Sequence, residues 1–420
     1  MNFTDKSLQT TLFANYGFYA TTACVQILSL PIYVKLVGLN NWAYIGYLLL
    51  AQGLFAMIDS GLIVGLQRIF ASEIKKNKLK YNTLKTFEIL IFLMLIFILF
   101  LTLISLSSIY IFKIFVFDNK IVMSIAGGIA IYVALAFSLP HKALLLMDNK
   151  QIQNNGLALL MLIFRHSLAL ILLNFYVNIL VFIFSHLIFA IIESIIRIII
   201  TWKDNRKNSI FDYSIFIFHK NDLYKLTCST ILGASVLQLD KLIAATLLDG
   251  IKFAKYTIAV TLGIGAIQIF YPIFQTTLPK YLSANGNFKL LSILNIKIGI
   301  LTFAILVSFW SIWTFLGVEI INLYLGSSVN SKEMYKYITV FLIGSSLFTI
   351  AGILQNNVLS HNLINIIFYT NISCLIFISI SQPLLIYHFD IVGACFGWLL
   401  VNIVTIFIHS SSLFFNRGSN

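Results

Sequence analysis

Asp240 and Lys241 stand side by side inside the apolar run STILGASVLQLDKLIAATLLDG, residues 229–250. Arg165 lies in LLMLIFRHSLAL beside His166, and Asp59 follows AQGLFAMI. A charge at the centre of a hydrocarbon-embedded helix costs roughly 2.5–3.5 kcal/mol, so each of these needs a partner or water. A buried ammonium or guanidinium is half of an ion pair or a seat for an anion, and both options stand for Lys241 and Arg165. Asp59 is a candidate proton or cation site. Asp240 could salt-bridge a neighbouring helix, neutralise Lys241 or hold a cation. Glu193 and Arg197 are four residues apart and are expected to pair within one helix. The seven histidines show no metal-ligand spacing, and Cys24, Cys228, Cys374 and Cys395 form no CxxC. No metal site and no cofactor are therefore assigned.

Neutral polar residues recur three or four apart, which gathers them on single helical faces. One face carries Asn15, Tyr19, Thr22, Gln26, Ser29 and Tyr33. Another carries Thr227, Thr230, Gln238 and Lys241, with Ala234 and Ala245 completing it. A third carries Thr257, Thr261, Gln268, Tyr271 and Gln275, and Gln52 shares a face with Asp59. Such faces must turn away from lipid, either toward another helix as hydrogen-bonding glue or toward a watery cavity.

The elements that carry these residues follow from composition. Of 420 residues, 59% are hydrophobic and 10% charged, with a mean hydropathy of +0.93. Soluble domains carry about 25% charged residues. Blocks such as FEILIFLMLIFILFLTLISLSSIYIF, Phe87 to Phe112, exceed the roughly 20 residues that a helix needs to cross hydrocarbon. The chain is expected to be an all-α polytopic membrane protein with twelve transmembrane helices. A β-barrel would show short alternating segments instead. The 47-residue run Gly156–Trp202 is expected to break at NFYVN, Asn174–Asn178. The third span, apolar throughout, is expected to face lipid. The first apolar block starts near Leu12 without a small-residue cleavage site, so no cleavable signal is expected.

Twelve spans put both termini on one side. Of the 28 Lys and Arg, the opposite side holds only Lys35, Lys113, Lys120, Lys252, Lys255, Lys332 and Lys336. Arg165 and Lys241 fall within spans. The bias makes both termini cytoplasmic, and placement in short connections argues against nucleic acid as the partner of the +13 net charge. The longest polar connection divides the chain into a first lobe (1–202), a cytoplasmic linker (203–226) and a second lobe (227–420). Its FDYSIFIF portion is a candidate membrane-surface segment. PIYVKLVGLNNWAYIGYLLLAQGL in the first half resembles LIAATLLDGIKFAKYTIAVTLGI in the second. Six spans per half would make this a parallel pseudo-repeat, an arrangement that places a substrate site between halves. There is no GxxxxGK[ST], which excludes a built-in ATPase.

The chain resembles the Wzx-type O-antigen flippases, in the polysaccharide-exporter branch of the multidrug/oligosaccharidyl-lipid/polysaccharide (MOP) superfamily. The resemblance is carried by LPIYVKLVGLNNWAYIGYLL, DSGLIVGLQRIFASEI, LDKLIAATLLDGIKFAKYTIAVTL, YPIFQTTLPKYLS and DIVGACFGWLLVNIV. It implies a MOP/MATE-like V-shaped bundle of two six-helix lobes in the bacterial inner membrane. It also implies alternating access that moves an undecaprenyl-pyrophosphate-linked oligosaccharide to the periplasmic leaflet, driven by a coupling cation, H⁺ or Na⁺. Its other partners would be membrane lipids and membrane proteins of polysaccharide assembly.

Such a cargo suits Lys241 and Arg165 as pyrophosphate ligands. Asn15, Tyr19, Thr22, Gln26, Tyr33, Gln52, Gln238, Gln268, Tyr271 and Gln275 suit sugars, and Asp59 and Asp240 are candidates for the ion. A drug or metabolite antiporter of the same superfamily would share the fold, and a lipid II flippase is a third possibility. An O-antigen polymerase or membrane glycosyltransferase usually carries a sizeable periplasmic loop with catalytic charges. Here the largest outer connection, Gly317–Met334, holds Glu319, Lys332 and Glu333 as its charges.

Overall fold

Gly38 and Asp390 turn two long helices back on themselves, and both do so at positive φ. The computed structural model describes residues 6–74, 80–112, 118–148, 150–202, 209–284, 287–326, 329–361 and 363–417, with some helical side chains set aside. The described residues form eleven helices: α1 (Lys6–Ile74), α2 (Lys80–Phe112), α3 (Asn119–Ala136), α4 (Leu139–Met147), α5 (Gln151–Phe175), α6 (Ile179–Trp202), α7 (Tyr213–Leu247), α8 (Gly250–Ala284), α9 (Phe288–Leu325), α10 (Ser331–Ser360) and α11 (Ile364–Arg417).

Ten helical stretches among them are long and apolar enough to cross a membrane. Two of these, Ala20–Asp59 and Asn365–Phe414, run to 40 and 50 residues, too long for one passage. Each contains a sharp turn, at Gly38 (φ 74°, ψ 164°) in α1 and at Asp390 (φ 55°, ψ −131°) in α11. With α1 and α11 each divided at its turn, the twelve expected crossings are present, and this is a multi-pass helical membrane protein. Gly38 reaches positive φ because it has no Cβ. Asp390 is a non-glycine residue in a sparsely populated region, and Lys252 Nζ lies 2.6 Å from its carboxylate.

Local sequence explains the other breaks. The expected interruption after residue 173 is real: α5 ends at Phe175 and α6 begins at Ile179, with Asn178 Oδ1 accepting from the Leu180 amide at 3.0 Å. The fourth crossing, expected as one helix, breaks at Phe137–Ser138 before Pro140. There the Ser138 amide donates to Leu135 O, and the Ala134 carbonyl accepts from Ser194 Oγ of α6. Asp118 caps α3 through the Lys120 amide at 3.0 Å and accepts from the Tyr44 hydroxyl. These bonds, Tyr44's first, hold its carboxyl below the usual carboxylate range. The FDYSIFIF stretch starts α7, one continuous helix from Tyr213 to Leu247.

The chain forms two compact units. The first comprises Met1–Val25 and Tyr44–Ile231, the second Gln26–Ala43 and Leu232–Asn420. In the first, Leu66, Phe70, Leu84, Phe87, Leu139, Trp202, Ile215 and Leu223 belong to one apolar core. Gly128 of α3 lies against α1 so closely that a Cβ would fall 2.5 Å from the Leu48 carbonyl oxygen. Phe92, Leu93, Phe97, Phe100 and Leu103 of α2 are exposed, as lipid contact requires. In the second unit α10 packs on α8, α9 and α11. Phe341 and Phe348 flank Trp398, with ring centroids at 5.8 and 5.5 Å.

Candidate functional site

Two charged groupings stand out among the described residues, one in each unit. In the first, α5 carries Arg165 and α6 carries Glu193 and Arg197 one turn apart. Glu193 binds both cations: Oε1 is 2.5 Å from Arg197 Nη2 and Oε2 is 2.9 Å from Arg165 Nη2. The expected Glu193–Arg197 pair is therefore present, and Arg165 joins it from the adjacent helix. Arg197 also donates to Asn154 Oδ1 at 3.1 Å and to Ser138 Oγ at 3.3 Å.

Asp59 of α1 accepts from the Tyr132 hydroxyl of α3 at 2.9 Å. Lys142 of α4 lies near enough to Asp59, Glu193 and Arg197 to feel their charges. Two guanidinium groups thus share one carboxylate, an excess of positive charge in a poorly hydrated place. The side chains of Arg197 and Glu193 are 5% and 4% exposed, that of Arg165 14%. The difference has a structural meaning, because Arg165 borders a cavity of about 250 Å³ whose wall also includes Phe18, Thr22 and Asn155.

In the second unit the adjacent charges of α7 have separate surroundings. Asp240 is 2% exposed. Its carboxylate accepts from the Tyr256 hydroxyl of α8 at 2.9 Å and from the Lys241 amide at 2.8 Å. Gln382 of α11 donates to the Asp240 carbonyl at 2.9 Å, while Gln382 Oε1 is buried with no hydrogen-bond partner among the described residues. Lys241 is half-buried. Its ammonium donates to Leu237 O at 2.7 Å and to Gln238 Oε1 at 3.1 Å, and among the described residues it makes no ion pair.

The neutral residues singled out by spacing are placed variously. Thr22 and Arg165 line the same cavity, Gln238 accepts from Lys241, and Gln52 is half-buried. Gln26 is exposed. Tyr33 is 2% exposed with its ring 6.4 Å from that of Trp42, whose Nε1 donates to Thr257 at 3.1 Å. The side chains of Asn15, Tyr19, Gln268, Tyr271 and Gln275 lie outside the described residues. Spacing had assigned Lys142 to a connection and passed over Tyr132, Tyr256 and Gln382. A lone amide in the apolar run ISISQPLL, residues 378–385, was the available signal for Gln382.

No protein-family model and no curated protein matches the sequence. Solved structures do match the fold. The chain is similar to the lipid II flippase MurJ in an inward closed conformation, with TM-score 0.70 and 14% identity over 96% of this chain and 87% of that one. It is similar to an inward-facing multidrug resistance MATE transporter of the MOP superfamily, with TM-score 0.68 and 13% identity over 96% of both chains. A eukaryotic MATE transporter gives 0.64 at 13% identity over 97% and 95%. The chain thus has the fold of these transporter structures. The likeness extends to a lipid II flippase and to multidrug transporters alike.

Proposed function

We propose that the protein is a flippase that carries an undecaprenyl-pyrophosphate-linked O-antigen oligosaccharide from the cytoplasmic to the periplasmic leaflet of the bacterial inner membrane. It works by alternating access and draws on an H⁺ or Na⁺ gradient. The observation that carries this reading is the state of Lys241. A half-buried ammonium in a membrane-crossing helix, bonded among the described residues to neutral acceptors while the neighbouring Asp240 carboxylate is bonded to Tyr256, is ready to accept an anionic guest. Arg165 is a second seat for pyrophosphate, since it lies at a cavity wall in a cluster with surplus positive charge. Asp240 and Asp59 are the candidates for the coupling ion. Asp240 is the better provided, because Gln382 Oε1, without a partner among the described residues, adds an acceptor close to its backbone.

Deleting the gene in its host is expected to abolish surface polysaccharide and trap lipid-linked repeat units on the cytoplasmic face. Lys241→Ala should do the same at normal protein level, whereas Lys241→Arg should retain part of the display. Normal display in the deletion strain would end the flippase reading, and normal display with Lys241→Ala would end the phosphate role. The similarity to MATE transporters, nearly as high as that to MurJ, favours one second reading: a cation-coupled drug or metabolite antiporter. That reading expects the deletion strain to become drug-sensitive with its polysaccharide intact.

A further inference from the structure

A cavity of about 370 Å³ lies in the second unit where α9 begins and where α10 and α11 end. This is within the roughly 300–1,000 Å³ of small-molecule pockets. Ser292, Asn295, Asn357 and His361 supply its polar groups. It lies at the opposite end of the α10 helix from Glu333 and contains neither of the charged groupings described above.

The two asparagines exchange hydrogen bonds: Asn295 Nδ2 donates to Asn357 Oδ1 at 3.0 Å and Asn357 Nδ2 to Asn295 Oδ1 at 2.9 Å. Asn295 Oδ1 also accepts from the buried Tyr281 hydroxyl at 2.6 Å, and Asn357 Nδ2 donates again to Ile353 O at 2.9 Å. A side-chain amide offers two N–H donors and two carbonyl lone pairs. Those bonds fill Asn295 Oδ1 and Asn357 Nδ2. Among the described residues they leave one N–H on Asn295 and one lone pair on Asn357 Oδ1, on the same edge of the amide pair. Neighbouring hydroxyls of one polyol satisfy them, one accepting from Asn295 and another donating to Asn357. Ser292 Oγ and the His361 ring make no side-chain hydrogen bond to a described residue and can take a further hydroxyl.

Among the described residues the lining contains no carboxylate for a metal and no Lys or Arg for a phosphate. Its polar chemistry therefore selects an uncharged polyol. The rim selects where that polyol comes from. Ile296 lines the cavity and is 59% exposed, Ile293 and Ile300 continue the same exposed apolar face of α9, and Phe414 is exposed beside Leu413. We infer that this cavity binds a bilayer lipid whose head ends in free hydroxyls, a glycerol or a sugar, with the head on the asparagine pair and the chains along α9. The inference is independent of the cargo reading.

The test uses the full-length purified protein and native mass spectrometry of lipids retained after exchange. The probes are phosphatidylcholine, phosphatidylglycerol and a neutral glucosyl diacylglycerol. The two hydroxyl-headed lipids should be retained about tenfold over phosphatidylcholine, the gain that one or two extra hydrogen bonds give. Ser292→Phe, which fills the cavity and leaves the amide pair intact, should erase the preference. Asn357→Leu should erase it too, and if that variant does not fold, Ser292→Phe carries the test. Equal retention of all three lipids, a preference for phosphatidylglycerol alone, or a preference surviving Ser292→Phe would overturn the inference. Methyl glucoside displacing the lipid at millimolar concentration would reassign the cavity to a soluble sugar and overturn the lipid assignment.

Discussion

Glu193 holds two guanidinium groups on one nearly inaccessible carboxylate. Removing one member of a buried ion pair strands the other charge and typically costs 3–5 kcal/mol. Glu193→Gln strands two, Arg165 and Arg197, in a cluster that already has surplus positive charge. Arg165→Gln strands neither, since Glu193 keeps Arg197 at 2.5 Å. Thermal unfolding in detergent should therefore show a loss of about 3–5 kcal/mol or more for Glu193→Gln and a much smaller one for Arg165→Gln. Equal losses would mean that Arg165, not Arg197, anchors the carboxylate. The sequence made half of this visible. Residues 193 and 197 are four apart on one helix, a spacing that brings side chains together. Nothing in the numbering joins 165 to 193, because that contact depends on how α5 packs against α6. The same holds for Tyr132 with Asp59 and for Tyr256 with Asp240: each carboxylate was conspicuous in its apolar run, and its hydroxyl partner on another helix was not.

At the scale of helices, close approach depends on a few glycines. The Cβ of a side chain at Gly128 would fall 2.5 Å from Leu48 O and 2.9 Å from Ala51 Cβ, so α1 or α3 would have to move. Gly128→Val should cost about 1–3 kcal/mol or more through overpacking. Gly38→Ala should cost about 1–2 kcal/mol because its φ is +74°. Gly299 of α9 has no atom within 4 Å of a built Cβ, so Gly299→Ala should be neutral or stabilising by up to about 1 kcal/mol. Melting temperatures of the three variants in one detergent test the order, and a destabilising Gly299→Ala would refute the packing account. Helix number and the α5–α6 break were legible because apolar length is a strong constraint in a membrane. The break between α3 and α4 was not, although Pro140 marked it, since a proline can also kink a continuous helix and only the Ser194 bond to Ala134 shows which occurred. The role of FDYSIFIF was equally hidden: its apolar pattern suits a membrane surface, yet Ile215 is committed to the core of the first unit.

Across the whole molecule the strongest signal is the distribution of charge. Lys220 and Lys332 are both exposed, and the count of crossings puts them on opposite sides of the membrane. Arg and Lys accumulate in cytoplasmic connections because moving them across the bilayer is unfavourable, so Lys220 should face the cytoplasm and Lys332 the periplasm. The four native cysteines, of which Cys24 is exposed, must first be replaced by serine. A membrane-impermeant maleimide should then label Lys332→Cys in cells with a permeable outer envelope and an intact inner membrane. It should label Lys220→Cys only after that inner membrane is opened. The reverse pattern would invert the protein, and labelling of both in intact cells would mean that the number of crossings between α7 and α10 is wrong. The result also fixes the leaflet of the hydroxyl-binding cavity. That cavity lies at the end of α10 away from Lys332, so periplasmic labelling of Lys332→Cys places it in the cytoplasmic leaflet. Only lipids of that leaflet could then reach Asn295 and Asn357, and a hydroxyl-headed lipid supplied solely to the outer leaflet should not be retained.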